Sequence, residues 1–475
     1  MGSLARNTLF SAVSSASNVL LVVLVIIAAR VLGERSFGYF SFALALVAIF
    51  DRLTDLGLNT LTARSVARDR SLARSYLPNI LAWKSLLSIA SIGLLVLAVN
   101  LLSHDREARI AAYIIGIGLV SQCFKAVSVA FFQAYERFDL ILIVTYMERS
   151  VMLLAGASVL IFVGGLIPFA AVFTLSRIPD LALAYWLVHR KITPLRIRFE
   201  PRTVKRLQVS AIPLAAYTLA LSAYWHVGIV ILSAMRPAAE VGWYSAGYKI
   251  YEGLMVFPFV VCTVLLPRLS QLFTADRQRH AALALRVLRY LTLGSMPLAI
   301  AVGILAPQAV QLVYGQAYLP AVPALRILMG AAVFMFVNWT LNTVLISADR
   351  EKPVLQVTAA GLLVMAAANL VLVRQLGMIG AAYSVAVSEL CVFVYLLATA
   401  RRLLFRVPAH AIAWRPAVAC TVAGTVLYLL RLRAPAGSAL LFAAVYVAML
   451  LVLRAFDPEE WSGIRNLLSR AGRRS

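Results

Sequence analysis

The sequence predicts an all-α polytopic membrane protein of about fourteen transmembrane helices. The helices are expected to form two pseudo-symmetric six-helix lobes around a central cavity, followed by two C-terminal helices. Three observations predict this class. Apolar residues fill 62% of the 475 positions and charged residues only 13%, against roughly half and a quarter in a soluble domain. Apolar runs of about twenty residues recur along the whole chain, each long enough to cross about 30 Å of hydrocarbon. Finally, a segment beginning at Phe37 returns at Val241.

Taken in order, the apolar runs place spans at 9–31, 37–57, 77–102, 110–134, 140–163, 167–189 and 208–234. The remaining spans are 241–267, 285–306, 320–347, 354–373, 378–400, 411–430 and 439–453. A single Arg6 precedes the first apolar run, which continues to Ala29 rather than ending as a short core at a cleavage site, so it reads as a retained span. Pro213, Pro258, Pro297 and Gly294 fall inside spans, which membrane helices tolerate when neighbours satisfy the released backbone groups. Cys123, Cys262, Cys391 and Cys420 all lie in apolar runs with no metal-ligand spacing, and read as small buried hydrophobes.

Basic loops set the orientation. Arg64, Arg68, Arg70 and Arg74 follow the second span; Arg190, Lys191, Arg196, Arg198, Arg202, Lys205 and Arg206 follow the sixth. Arg268, Arg277, Arg279, Arg286 and Arg289 follow the eighth, and Arg401, Arg402 and Arg406 the twelfth. Roughly 29 of the 44 Lys and Arg lie on this side and about 7 on the other. The expected location is the inner (cytoplasmic) membrane with both termini in the cytoplasm. Orientation and contact with anionic lipid account for the +24 net charge without any nucleic-acid partner. After Asp457, Trp461, Ile464, Leu467 and Leu468 share one helical face, so the tail is expected to form an interfacial helix.

Sliding the chain by 204 residues sets Gly38 on Gly242, Tyr39 on Trp243, Phe40 on Tyr244 and Ser41 on Ser245. Leu61 meets Leu265 and Arg64 meets Arg268 at the same offset. The matched segments are the second and eighth spans; six is even, so the copies point the same way, as in transporters with parallel repeats. The expected organisation is an N-lobe at 1–190, a basic linker at 191–207 and a C-lobe at 208–400. Spans thirteen and fourteen occupy 401–455, and a basic tail 456–475.

ARVLGERSFGYFSFALA from Ala29, DLGLNTLTARSVAR from Asp55, FQAYERFD from Phe132, VGWYSAGYKIYEGLMVFPFVVCTVLLPRLS from Val241, LVYGQAYLPAVPALRIL from Leu312 and GMIGAAYSVAVSE from Gly377 carry a family resemblance. They resemble the flippases for O-antigen, capsule and exopolysaccharide, within the multidrug/oligosaccharidyl-lipid/polysaccharide exporter superfamily. The resemblance runs from about Leu4 to about Ala400. It implies a twelve-helix core with two added helices, and as cargo an undecaprenyl-pyrophosphate-linked oligosaccharide carried between leaflets for surface polysaccharide biosynthesis. A polysaccharide polymerase and a chain-length regulator are the protein partners such a carrier would have.

Ionisable groups at span depth carry the site. Each costs about 2.5–3.5 kcal/mol at a helix centre, so it normally faces water or a partner. The first half has Asp51, Arg52, Asp55, Lys84, Lys125, Glu148, Arg149, Arg177 and Asp180; the second has His226, Lys249, Glu252 and Glu389. Counting about 1.5 Å per residue, Arg149 and Arg177 fall near the midplane, with Arg52, Lys84 and Lys125 inward and Arg30 at the outer end of span one. A pyrophosphate headgroup wants such donors, arginine above all, which can bind it bidentately. The expected pyrophosphate set is therefore Arg149, Lys125, Arg52, Lys84, Arg177 and Arg30. The competing reading is ion pairing along one helix, since Arg52–Asp55, Arg177–Asp180 and Lys249–Glu252 are each three residues apart. Lys84 has no acid within a turn, and Lys125 and Arg149 sit where neutralising charge is sparse.

For sugar contact the mid-depth candidates are Tyr217, Tyr224, Trp225, Tyr248, Tyr251, Asn338, Trp339 and Asn342, although such aromatics also fill bundles. Asp55, Glu148, Asp180, Glu252 and Glu389 are the candidates for a coupling ion, with His226 beside them. No Walker loop is present, and no enzyme activity, cofactor or metal is expected. A cation-coupled multidrug exporter is the nearest alternative, but an Arg/Lys-rich lobe would repel cationic drugs. A peptidoglycan-precursor flippase shares the pyrophosphate lipid. A polymerase or glycosyltransferase could use the acid-x-acid step at Asp105 and Glu107, but the loop that holds it is too short for two substrates.

Overall fold

In the computed structural model the described residues are 17–103, 105–192, 200–430 and 435–453, with some side chains inside these ranges left out. The start of the first span, the linker residues Arg196 and Arg198 and the interfacial tail lie outside them. The helices are α1 (Asn18–Asp55), α2 (Leu58–Arg68), α3 (Ala73–Leu102), α4 (Arg106–Ala134), α5 (Phe138–Phe162), α6 (Leu166–Leu175) and α7 (Ile178–Lys191). They continue with α8 (Pro201–Met235), α9 (Ala238–Leu254), α10 (Val256–Ala275), α11 (Arg277–Ile304) and α12 (Ala306–Tyr314). Last come α13 (Val322–Ser347), α14 (Glu351–Leu376), α15 (Met378–Leu403), α16 (Ala409–Leu430) and α17 (Pro435–Val452). Among the described residues, 10 stretches are long and apolar enough to cross a membrane, and two shorter apolar helices cover Ile412–Val426 and Leu440–Val452. With the two segments of α1 on either side of Gly33, this is the expected set of about fourteen spans.

Local chemistry explains the breaks. Gly33, at φ 75 and ψ 171, interrupts α1 between the first two spans in a conformation open essentially to glycine alone. The second span stops at Gly57, at φ 75, where a Cβ would lie 2.8 Å from the Ala211 carbonyl oxygen and 3.0 Å from the Ala215 nitrogen. Span six divides into α6 and α7 because Pro179 has no N–H for the Leu175 carbonyl, and proline is tolerated only in a helix's first turn. Span eight divides into α9 and α10 for the same reason, with Pro258 four residues after Leu254. Between α2 and α3, Asp69 accepts from Ser71 N at 2.9 Å and Ser71 Oγ at 2.6 Å, which holds its carboxyl below the usual carboxylate range.

The chain divides into two compact units. The first comprises Met1–Ala246, Val313–Ala321 and Thr358–Ser384. Its core includes Leu58, Tyr76, Leu77, Phe131, Phe132, Val144, Leu187 and Ala211, drawn from α2, α3, α4, α5, α7 and α8. The second comprises Gly247–Leu312, Val322–Val357 and Val385–Ser475. Within it α16 and α17 pack on α11 through Leu293, Cys420, Ala423, Phe442 and Tyr446, and the Tyr446 hydroxyl donates to Leu293 O at 2.7 Å. The last two spans are therefore docked on the ninth.

Candidate anion site in the first unit

The intramembrane charges of the first unit lie on five neighbouring spans, and the structure pairs them across helices. Lys125 of α4 reaches Glu148 Oε2 of α5 at 2.6 Å and Asp180 Oδ2 of α7 at 3.3 Å. Both acids are buried, so one ammonium ties three helices. Neither Asp180 oxygen accepts a hydrogen bond among the described residues; its contact with Lys125 is an ion pair without hydrogen-bond alignment. Lys84 of α3 is fully buried and donates to Asp55 Oδ1 at 2.9 Å and Asn59 Oδ1 at 3.0 Å. Asp55 also accepts from the Asn59 backbone N–H, which fixes it at the end of the second span.

These contacts correct the intrahelical reading. Asp55 pairs with Lys84 rather than Arg52, and Asp180 with Lys125 rather than Arg177. Lys125 is not in sparse charge: two carboxylates meet it. Lys249–Glu252 does pair along its helix, at 2.6 Å.

The arginines are left with donors to spare. Arg52 is 43% exposed and only skirts Asp51, at 3.4 Å. Arg177, at the α6–α7 break, donates from Nη1 to Gln122 Oε1 at 2.7 Å and lies 5.0 Å above the Phe173 ring, while its buried Nε has no partner among the described residues. Arg149 stands beside Glu148 but about 100° around the helix from it. Its Nε is buried without a partner, and it makes no hydrogen bond or ion pair among the described residues. Arg149 and Arg177 are close enough for their charges to interact. Three cations thus surround two carboxylates, leaving excess positive charge on α4, α5 and α7. Arg30 lies apart from this group; its Nε donates to Val313 O at 2.8 Å.

The sugar and coupling candidates divide between the units. In the first, Tyr224 and Trp225 pack edge to face at 5.6 Å, Tyr217 is half-buried, and His226 Nδ1 lies 2.8 Å from the Ser222 carbonyl. In the second, buried Glu389 accepts from Asn338 Nδ2 at 2.7 Å and from the Tyr251 hydroxyl at 3.3 Å. Tyr251 packs on Tyr248 at 5.5 Å and Trp339 on Phe259 at 6.0 Å. Asn338 Oδ1 and Asn342 Oδ1 are buried and accept nothing among the described residues. Tyr251, 0% exposed, presents no ring face to a ligand, whereas Tyr217, Trp225, Trp339 and Asn342 are partly exposed. Gln122 and Asn59 escaped the sequence reading. Their only signal is an amide side chain in or beside a span, one helical turn from a charged residue.

Comparison with known proteins agrees with the fold. The chain resembles a structure titled as the lipid II flippase MurJ in an inward closed conformation, at TM-score 0.79 and 14% identity, covering 94% of this chain and 98% of that one. An inward-facing multidrug resistance MATE family transporter of the MOP superfamily matches at TM-score 0.69 and 14% identity, over 81% and 94%. A MOP superfamily transporter from Pyrococcus furiosus matches at 0.59 and 14%, over 84% and 95%. No curated protein sequence matches. The profile of the family described as "Polysaccharide biosynthesis protein" matches residues 4–273, more than half of the chain. With a fold shared with these structures and this profile across more than half of its length, the chain belongs to the polysaccharide biosynthesis protein family.

Proposed function

We propose that the protein is a flippase that moves undecaprenyl-pyrophosphate-linked oligosaccharide repeat units across the cytoplasmic membrane by alternating access, for surface polysaccharide biosynthesis. The single observation behind the cargo is Arg149. A guanidinium inside a membrane protein is costly without a partner; this one has a buried, unsatisfied Nε and lies beside two further cations. An anion that arrives and leaves satisfies such a group intermittently, which is what a carried pyrophosphate does. In this account Arg149 and Arg177 hold the phosphates and Arg52, more exposed, meets them first. Lys125 shares its charge between cargo and the two carboxylates, and Lys84 braces the second span. Residues 1–190 and 208–400 would be the two moving lobes.

The repeat unit, rather than the peptidoglycan precursor with the same lipid, is favoured by the family profile. The excess of basic groups disfavours cationic drugs as cargo. Deleting the gene should deplete a surface polysaccharide and leave its lipid-linked repeat unit on the cytoplasmic side. Normal delivery of that unit to the periplasm in a strain without a second carrier would reject the assignment.

A further inference from the structure

The internal repeat has a structural counterpart. The 204-residue offset that sets Gly38 on Gly242 also sets Glu34 on Ala238. In the fold, a Cβ added to Gly38 would fall on the carbonyl oxygen of Ala238, and one added to Gly242 on the carbonyl oxygen of Glu34. Each glycine therefore faces the residue that precedes its own counterpart by one turn. Such reciprocity, with i on j′ and j on i′, marks a twofold relation. The Gly242 nitrogen lies 3.0 Å from the Gly38 Cβ position, so the axis runs between the two glycines. The residues behind them match as well: Phe40 and Tyr244 are 0% and 1% exposed, and Ser41 and Ser245 are both buried.

Around this crossing, within the same unit, several bonds tie segments distant in sequence. The Tyr318 hydroxyl donates to Ala29 O at 2.7 Å, and Arg30 Nε to Val313 O at 2.8 Å. Trp243 Nε1 donates to Ala317 O at 2.9 Å, and the Met378 N–H to Glu240 Oε1 at 2.8 Å. By the alternation of basic loops, all of them sit at the outer end of the spans.

We infer that this seam is the closed outer gate of the transporter, and that Gly38 and Gly242 are the residues that allow it to close. The inference rests on the transporter reading, not on the identity of the cargo. Only glycine lets the two backbones approach this far, as small residues do in membrane helix pairs. The contact itself is of the weak Cα–H···O kind. The Glu34 and Ala238 carbonyls belong to the first turns of their own helical segments, so parting the helices strands no strong donor. A seam built this way is tight when shut and cheap to open. Gly253, on the same helix as Gly242, has nothing within 4 Å of its Cβ position and plays no such part.

The test uses Ser41→Cys as a buried reporter, in a background with the exposed native cysteine removed as Cys391→Ser. A membrane-impermeant maleimide is applied from outside, and labelling is scored per inserted molecule. The reporter should be protected in the parent. Gly38→Ala and Gly242→Ala should each raise labelling severalfold and to similar extents. The double substitution should add little, because either methyl group already parts the same seam. Gly253→Ala should change nothing. Parent-level labelling in inserted Gly38→Ala protein would overturn the gate. If Gly38→Ala does not insert, Tyr318→Phe takes its place, since it removes the bond to Ala29 without altering either helix; no rise in its labelling would equally overturn it. Labelling needs no cargo, so a wrong cargo would leave this result standing.

Discussion

Replacing Lys125 by methionine should remove most of the protein from the membrane, whereas replacing Arg149 by methionine should not. Methionine keeps an unbranched apolar stem and deletes the charge. At position 125 the deletion orphans Glu148 and Asp180, which are 5% and 1% exposed. Breaking a buried ion pair by removing one partner costs about 3–5 kcal/mol, a large share of a total stability of about 5–15 kcal/mol. At position 149 no hydrogen bond or ion pair is lost among the described residues, and a group costing about 2.5–3.5 kcal/mol to insert is gone. The assay is the amount and melting temperature of the detergent-extracted protein, followed by fluorescence size exclusion. Combining Lys125→Met with Glu148→Gln and Asp180→Asn removes the orphaned charges and should return the protein to the membrane. Wild-type abundance of Lys125→Met would refute its structural share, and loss of Arg149→Met would refute the assignment of that cation to cargo alone.

The same logic applies to Lys84, whose ammonium bridges Asp55 and Asn59: Lys84→Met should lower the melting temperature, and adding Asp55→Asn should recover part of the loss. No recovery would mean the pair is not coupled. Gln122→Ala should free Arg177 Nη1, leaving abundance near normal but slowing transport; an unchanged rate would remove Gln122 as a positioning residue. Reporter fusions after Leu102 and after Arg190 should fall on opposite sides of the membrane, and the same side for both would end the assigned topology.

Spans could be read from the sequence because apolar length sets each of them, and the first two end where Gly33 and Gly57 stand. The breaks inside the sixth and eighth are not legible in that length: each reads as one continuous span, with Pro258 as a tolerated proline, whereas Pro179 and Pro258 divide them. The repeat was legible too, since Gly38 and Gly242 are constrained by the same close approach from both sides. Charge pairing was not. Spacing along one helix suggested Arg177–Asp180, yet Asp180 turns to Lys125, 55 residues away in sequence and on another helix. Which face of α4 meets α5 and α7 is decided by the packing of apolar neighbours around it, and no interval between charged residues encodes that rotation. The residue whose importance survives this regrouping is Arg149, because among the described residues it forms no ion pair, Glu148 beside it being turned to Lys125.

The central claim is that the basic cluster around Arg149 recognises a pyrophosphate carried on a lipid. It is tested most directly by titrating purified protein with undecaprenyl pyrophosphate and comparing wild type, Arg149→Lys and Arg149→Ala. A hydrogen bond to a charged group is worth about 1.5–3 kcal/mol, so Arg149→Ala should weaken binding by about 10- to 150-fold, with Arg149→Lys between the two. Equal affinities for all three proteins, each shown to be folded and inserted, would contradict the account.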